Sequence, residues 1–530
     1  MASAQNSGNG PRQPTAWLNP TMDRRTLLGG GLAFAAGALP LFYSIPAIAG
    51  PKRGGHVRLG IGDGHTTDSL DPTTTENSYM DILNHSVRSY LAEIGPDGKA
   101  VPELAESWEA TNGARKWAFR LRKGVEFHNG KTLTADDVVG SIEAHRSADS
   151  KSGGRPLLAG IQKLYADGKD LVVFELNDGN ADFPYILTDY HFVIVPVADG
   201  HLDTSGVGSG AYVLEQFVPG ISAKLKRHPN FFRSDRGWFD SGELLAIRDP
   251  AARSNALAAG EIDIMHDLPP KLASLVQQNG DLVVESVPGS AHCTLPMRSG
   301  SEPFGNNDVR LALKYAIDRK AIVKTILYGQ GTIGNDHPVS PGMPYWADLP
   351  QREHDPERAR HHLKKAGLSS LSIELQTAEA AFAGATDTSL LFQEQAKASG
   401  IEIKVKRVAD DGYWSNTWNK APFCIALWAA RPTPDMILST AYASGVAWNE
   451  SEFSNATFDK LLVAARSELD ETKRANMYRE MQMILSDEGN TLVPFFANHV
   501  FARSRKIDHG PVSSSAPIDG NRAMERWWYA

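Results

Sequence analysis

The sequence predicts an α/β protein built from several domain-sized units, on three observations. The second half alternates strand, helix and strand: "LSIELQT", a helical stretch running to Gly400, then "IEIKVKRV". The first half is a series of short alternating strands separated by turn signals. The third observation is length: 530 residues exceed what one simple core organises, and a length prior gives roughly three to four units. The net charge of -8 argues against a nucleic-acid partner, which would call for a basic face.

Taken in order, "GGHVRLGIG" (Gly54–Gly62) alternates as a first strand. "SYMDILNHSVRSYLAEIG" has helical spacing and predicts a helix that stops at Gly95. "SWEAT" and "KWAFRLR" predict two strands around an "NG" turn. "LTADDVVGSIEAHR" predicts a helix capped by Thr134, with Asp136 and Asp137 in the first turn where acids suit the helix dipole. "GKDLVVFELN" is a further strand. In "SGVGSGAYVLEQFVPG", Gly206, Gly208 and Gly210 read as a tight turn rather than a phosphate cradle, because a strand and not a helix follows. "RSNALAAGEIDIMHDLP" predicts helix then strand. "DLVVESVPGSAHCTLPMRSG" predicts two strands around Pro288-Gly289, a suitable place for the chain to cross between domains.

Asn306–Leu327 reads as one long amphipathic helix. "DPERARHHLKKAG" reads as a shorter one, capped by Asp355, opened by Pro356 and stopped by Gly367. A pair of helices over 456–490 precedes the strand signal "TLVPFFANHVFARS".

The N-terminal "MDRRTLLGGGLAFAAGALPLFYSIPAIAG" begins at Met22. Arg24 and Arg25 precede an uncharged Gly/Ala-rich run that ends in Ala47-Ile48-Ala49, a small-x-small cleavage pattern. Residues 1–49 therefore read as a disordered leader and a twin-arginine export signal, removed after translocation to the periplasm. A permanent membrane anchor is the alternative; the run is barely long enough to span and contains Pro40 and Pro46. Asp23, where Ser or Thr is usual, is a small departure. No other apolar run is long enough to span, so the mature chain is expected to be soluble. Cys293 and Cys424 read as two separate buried thiols, with a single disulfide as the alternative.

No HExxH, GxSxG, GxxxxGK[ST] or EF-hand pattern occurs. His361-His362 is the only histidine pair, on a helix rich in Lys and Arg, and neighbouring helical positions point about 100° apart, so the two cannot easily share a metal. No carboxylate pair is marked as acid and base. A catalytic reading has no positive support, and no metal or cofactor is expected.

Several stretches together resemble the extracellular solute-binding proteins of the peptide/nickel class (family 5), the dipeptide- and oligopeptide-binding subunits of bacterial ABC importers. They are "VPELAESWEA", "FRLRKGVEFHNGKTLTADDVVGSIE", "GSGAYVLEQFVPG", "LAAGEIDI", "NNDVRLALKYAIDRKAIV", "DPERARHHLKKAG" and "FDKLLVAARSELDETKRANMYREMQMILSDE". They occur in family order over nearly all of the chain after the leader. The resemblance implies a type II periplasmic binding protein with two lobes joined by crossing strands and a hinge that closes over the ligand. It implies a larger lobe over 50–287 with an extra subdomain within roughly 105–218, a smaller lobe over 288–493, and a C-terminal return to the larger lobe over 494–530. It also implies a non-enzymatic monomer that delivers a small-molecule or peptide ligand to permease subunits in the inner membrane.

Peptide-binding relatives carry an acid shortly after a tryptophan of the smaller lobe, where it pairs with the ligand's α-amino group. The matching stretch here is "LWAARPTPD". Trp428 matches the tryptophan, and Arg431 falls on or beside the acid's position; Asp435 belongs more naturally to the next helix as its N-cap. An arginine cannot hold an ammonium, but it binds carboxylate or phosphate with two parallel charge-assisted hydrogen bonds. An anionic ligand end is therefore expected at Arg431: an acidic peptide, an opine-like conjugate or a metal–chelate. The alternative makes Arg431 structural or solvent-facing in a conventional di- or oligopeptide binder. A periplasmic hydrolase is a further alternative, without a nucleophile–base arrangement to support it. By the same resemblance His65 and Thr67 in "GDGHTTDSLDP", Arg155 in "GGRPLLAG", and Trp448 and Asn449 in "SGVAWNES" are candidate ligand contacts.

Overall fold

The computed structural model describes residues 51–530; the arginine pair at Arg24 and Arg25 and the cleavage pattern before Gly50 lie outside the described residues. Among the described residues no helix is long and apolar enough to cross a membrane.

The first large element is a seven-stranded sheet in the order Tyr212–Val218, Ser222–Arg227, Ser241–Ala246, His56–Ile61, Ile264–Met265, His499–Ser504, Leu282–Val287. Its central strand His56–Ile61 runs parallel to Ser241–Ala246 and to Ile264–Met265. Val57, Leu59 and Ile61 bury one face of that strand completely. A four-stranded antiparallel sheet, Ala105–Thr111, Lys116–Leu121, Leu171–Leu176 and Ile161–Ala166, forms a subdomain on this lobe. Trp117, Phe119, Phe174 and Phe183 give it a core of its own, with ring centroids 4.9–6.2 Å apart.

The second lobe is built on a five-stranded sheet of Gly331–Ile333, Phe495–Ala497, His292–Pro296, Ala426–Trp428 and Thr491–Leu492. Beside it stands the expected strand–helix–strand unit: Leu371–Thr377 lies parallel to Ile401–Arg407, and Ala385–Lys397 connects them. The chain passes from one sheet to the other between Val287 and His292 and comes back between Ala497 and His499. The return therefore falls at Asn498 rather than at 494, because Phe495–Ala497 still pairs with Gly331–Ile333.

Two helices differ from expectation. Asn306–Leu327 is broken into Asn307–Ala316 and Arg319–Ile326. Ile317 turns extended and Asp318 caps the second helix by accepting from the Ala321 N–H. The break lets Arg319 turn inward, where its Nη2 lies 2.7 Å from both oxygens of buried Asp336. The first helix stops at Val87 rather than Gly95. There the Arg88 guanidinium is buried, donating to Asn84 Oδ1 and Leu70 O. Gly208 and Gly210 pass so close over Val87 and Arg88 that a Cβ at either would strike their backbone. His362, on the helix rich in Lys and Arg, makes a 2.8 Å bond from Nδ1 to Asp308 Oδ1. Both cysteines are free and buried.

The subdomain also grips the second lobe. Asp182 Oδ1 lies 2.7 Å from Arg474 Nη2 with both side chains 4% exposed, and the Ala181 N–H donates to Arg466 O over 2.7 Å. Breaking such a buried pair strands a charge, so Arg474→Ala is expected to cost about 3–5 kcal/mol. Urea unfolding measures this, and the double replacement Asp182→Leu with Arg474→Met should recover most of the loss. A single variant with an unchanged midpoint would show the pair to be idle.

Histidines flank the crossings. His292 and His499 open the two crossing strands, and His337 lies close by; burial holds each pKa down to about 4. In the unfolded chain an imidazole titrates near 6.5. The unfolded state therefore binds more protons between those values, and this contribution to stability is complete above pH 6.5, falls through the window and levels off below about 4. His499→Gln should flatten the urea midpoint against pH between 6.5 and 4.5, by up to about 1.4 kcal/mol per pH unit. An unaltered slope would remove His499 from the account.

Candidate functional site

Arg431 is placed from both sides. Upstream, Ala426–Trp428 pairs antiparallel with His292–Thr294, so the chain leaves the sheet at Ala429. Downstream, Thr433 caps the helix Pro434–Ala441 by accepting from the Met436 N–H. Thr433, not Asp435, is therefore the cap; Asp435 sits in the first turn and accepts from Arg466 Nε at 2.9 and 3.1 Å. Between these anchors Ser290 clamps the backbone of Arg431: its Oγ accepts from the N–H and donates to the carbonyl, each over 3.1 Å.

The guanidinium is half-buried, and its only hydrogen bond within the described residues runs from Nη1 to the neighbouring Ala430 carbonyl. Burial alone depresses its pKa, with no charged group set against it. Arg431 therefore has no protein acid as partner among the described residues.

Its surroundings form the space between the lobes. A cavity of about 270 Å³ is walled by Ala430, Pro432 and Met436 on the second lobe, and by residues including Asp81, His85, Tyr185, Tyr190 and Arg522 on the first. A contiguous cavity of about 90 Å³ holds Arg431 itself, with Ser290, Ser340 and Ser514, and shares Ile94, Ala430, Pro432 and Ser515 with the larger space. Clefts between domains are the usual place for a small-molecule site.

The first-lobe wall is rich in charge, most of it consumed internally. Glu93 accepts from Arg233, Arg236 and Arg526 and lies 3.3 Å from Arg522. Burial works against its charge, but the four arginines outweigh it and hold the carboxyl far below the usual range. Arg522 also grips Glu103 at 2.7 Å and Glu525 at 3.0 Å, and Arg526 grips Asp519 at 2.8 Å.

The wall ends in a left-handed turn, with φ of 43° at Ile518, 67° at Asp519, 65° at Gly520 and 60° at Asn521. Asp519 stabilises it by accepting from the Ser513 N–H and the Trp527 indole N–H. None of these wall residues was foreseen from sequence. The one available signal was "DGN", residue types that tolerate a left-handed backbone.

The other candidates are dispersed. Trp428 is packed in the second lobe, and its indole N–H donates to Glu450 Oε1 over 3.0 Å. Trp448 is half-exposed and joins a tryptophan cluster, 5.9 Å from Trp428 and 6.1 Å from Trp418. Asn449 is buried and its amide is fully used: it donates to Ala443 O and Phe453 O and accepts from the Phe453 N–H. The structure thus brings Trp428 and Trp448 together, but neither they nor Asn449 line the cleft. His65 and Thr67 are exposed on a surface turn closed by the His65 N–H on Asp68. What reaches the cleft from that region is Asp81 and His85, one helix further on. Arg155 is exposed and donates to Ala148 O; Leu157, two residues on, is what lines the cavity.

Known proteins agree with this architecture. Residues 99–450 match the model of the bacterial extracellular solute-binding proteins, family 5 Middle. The oligopeptide-binding protein AppA of Bacillus subtilis is 26% identical over 518 residues, spanning 91% of this chain and 92% of that protein. The probable D,D-dipeptide-binding periplasmic protein DdpA of Escherichia coli is 26% identical over 466 residues, spanning 83% and 87%. Among solved structures, HbpA2 from Haemophilus parasuis superposes with a TM-score of 0.78 at 20% identity, covering 88% of this chain and 99% of that one. The chain belongs to family 5 of the bacterial extracellular solute-binding proteins, non-enzymatic substrate-binding subunits of ABC importers.

Proposed function

We propose that this chain is exported to the periplasm by its twin-arginine signal and there, as a monomer, captures a small solute carrying an anionic group. It then delivers that solute to permease subunits in the inner membrane. One observation carries the choice of ligand: a half-buried guanidinium at the edge of the cleft, backbone-clamped by Ser290 and without a carboxylate partner in the described residues. A desolvated arginine is worth most when it meets a planar anion with two parallel hydrogen bonds. The second reading is a conventional di- or oligopeptide binder, favoured by similarity to the oligopeptide-binding protein of Bacillus subtilis and the probable D,D-dipeptide-binding protein of Escherichia coli. In that case Arg431 contributes to shape only.

Ligand binding stabilises the folded state, so a thermal-shift screen separates the two. Polycarboxylates and acidic peptides should raise the melting temperature more than neutral peptides do. Arg431→Ala should weaken the best acidic hit about 10- to 100-fold, the value of a charge-assisted pair, with Arg431→Lys in between. Unchanged affinity in Arg431→Ala would return the residue to a structural role. The export route is tested separately: replacing Arg24 and Arg25 with Lys should leave the precursor in the cytoplasm, and continued export would refute it.

A further inference from the structure

The subdomain forms much of the first-lobe wall of the cleft. Leu157, Tyr185, Ile186 and Tyr190 line the 270 Å³ cavity opposite Met436. Asp182 stands directly before the short helix Phe183–Ile186, which carries Tyr185 and Ile186. Asp435 stands directly before Met436, in the first turn of Pro434–Ala441. Each wall thus has an acid beside its cavity-lining residues, and each acid is held by an arginine of the second lobe.

Those arginines come from successive helices: Arg466 lies in the last turn of Ala456–Ser467 and Arg474 in the first turn of Glu471–Glu488. Arg474 is fixed by its own lobe. Its Nε donates to Ala465 O over 2.9 Å and its Nη1 to the Tyr345 hydroxyl over 3.3 Å. Its guanidinium lies 5.0 and 5.5 Å from the ring centroids of Tyr345 and Tyr478. It therefore meets Asp182 already aimed. Arg466 links the two walls: its Nε holds Asp435, and its carbonyl accepts from the Ala181 N–H of the subdomain. Burial raises the Asp435 pKa against the pull of Arg466, and Asp182 adds to the rise, so the two acids act on one another across the interface. Nearby on the same helix, Glu471 Oε2 pairs with Lys99 Nζ of the first lobe over 2.8 Å, both side chains exposed. The covalent crossing adjoins the other cavity, which Ser290 lines.

We infer that the subdomain is a clasp on the cleft: the Asp182–Arg474 pair, tied through Arg466 to Asp435, sets the balance between joined and parted lobes. Lobes joined by two short crossings exchange between closed and open forms. A pair that is buried only when the lobes meet is lost on opening, when water takes up both charges. Asp182 and Arg474 line neither cavity, so the clasp acts alike on acidic and neutral solutes and is independent of the role of Arg431.

The test is hydrogen exchange of the intact exported protein, read by mass spectrometry at the two cleft walls, residues 183–190 and 430–436. Asp182→Asn keeps the shape of the side chain and removes its charge. It should speed exchange on both walls at least about tenfold, the value of a charge-assisted bond, and leave the subdomain strand Leu171–Leu176 as slow as before. A second variant, Lys99→Cys with Glu471→Cys, uses exposed positions, while Cys293 and Cys424 stay buried. Joining the new pair with a bismaleimide should slow both walls below the wild-type rate. Unchanged walls in Asp182→Asn would overturn the proposal. A rise shared equally by Leu171–Leu176 would also overturn it, because the pair would then only prop the fold. Walls that exchange as fast when linked as when free would show that the lobes do not part there, with the same result. If Asp182→Asn does not fold, the linked protein decides alone.

Discussion

Glu93, buried among Arg233, Arg236, Arg522 and Arg526, is the interaction on which the first-lobe wall of the cleft depends. It ties together three segments far apart in sequence: the strand Ala92–Ile94, the loop around 233–236 and the C-terminal turn at 519–526. A carboxylate this deep is tolerable only because its charge is matched on every side. The matching has a second effect. It engages the arginines of the first-lobe wall with acids of the same lobe, while Arg431 on the other lobe has no acid partner among the described residues.

The two lobes meet through two kinds of contact. The covalent one is the pair of short crossings, 288–291 and Asn498, each beside a histidine, buried His292 and partly buried His499, whose pKa desolvation lowers. The non-covalent one is the Asp182–Arg474 pair, where the subdomain reaches over to the long helix Glu471–Glu488. That helix is itself pinned at its far end by Lys314, whose buried ammonium donates to the carbonyls of Leu485, Ser486 and Gly489. The C-terminal end of the helix is thus tied to Asn307–Ala316 of its own lobe. Hinge closure over a ligand would be absorbed at the crossings and would have to keep or remake the Asp182–Arg474 contact.

Much of the fold was legible because periodicity is a local signal. The alternation in 54–62, the "NG" hairpin, the Thr134 and Asp355 caps and the strand–helix–strand unit around 371–407 all follow from side-chain spacing. What stayed hidden was set by distant partners. Nothing local says that Arg319 must reach Asp336, yet that contact breaks a helix whose amphipathic pattern runs on unbroken. Arg88 ends the first helix for a similar reason, to bury its guanidinium against Leu70 and Asn84. Arg431 lines a cavity at the cleft, and its place in the chain followed from its fixed interval after Trp428. His65, Thr67, Arg155 and Asn449 were located by loop alone, and loop membership does not decide which side chain faces inward. In two of those loops the neighbour, or the next helix, lines the cavity instead.

The role of Trp428 is changed most by the three-dimensional context. Its indole N–H and that of Trp418 both donate to Glu450. Burial pushes that carboxyl above its usual range, against the pull of the two indoles and Thr294. Among the described residues no cation pairs with it. A buried carboxyl so placed fixes the rotamer of Trp428 at both its packed face and its polar edge. The strand end is thereby held three residues before Arg431, and Ser290 holds the backbone at Arg431 itself. The tryptophan serves as a fixed post from which the next turn of chain is aimed. Whatever residue stands at 431 is delivered to the same point at the edge of the cleft. Under the proposed reading, changing that residue's charge would change the charge asked of the ligand without disturbing the scaffold.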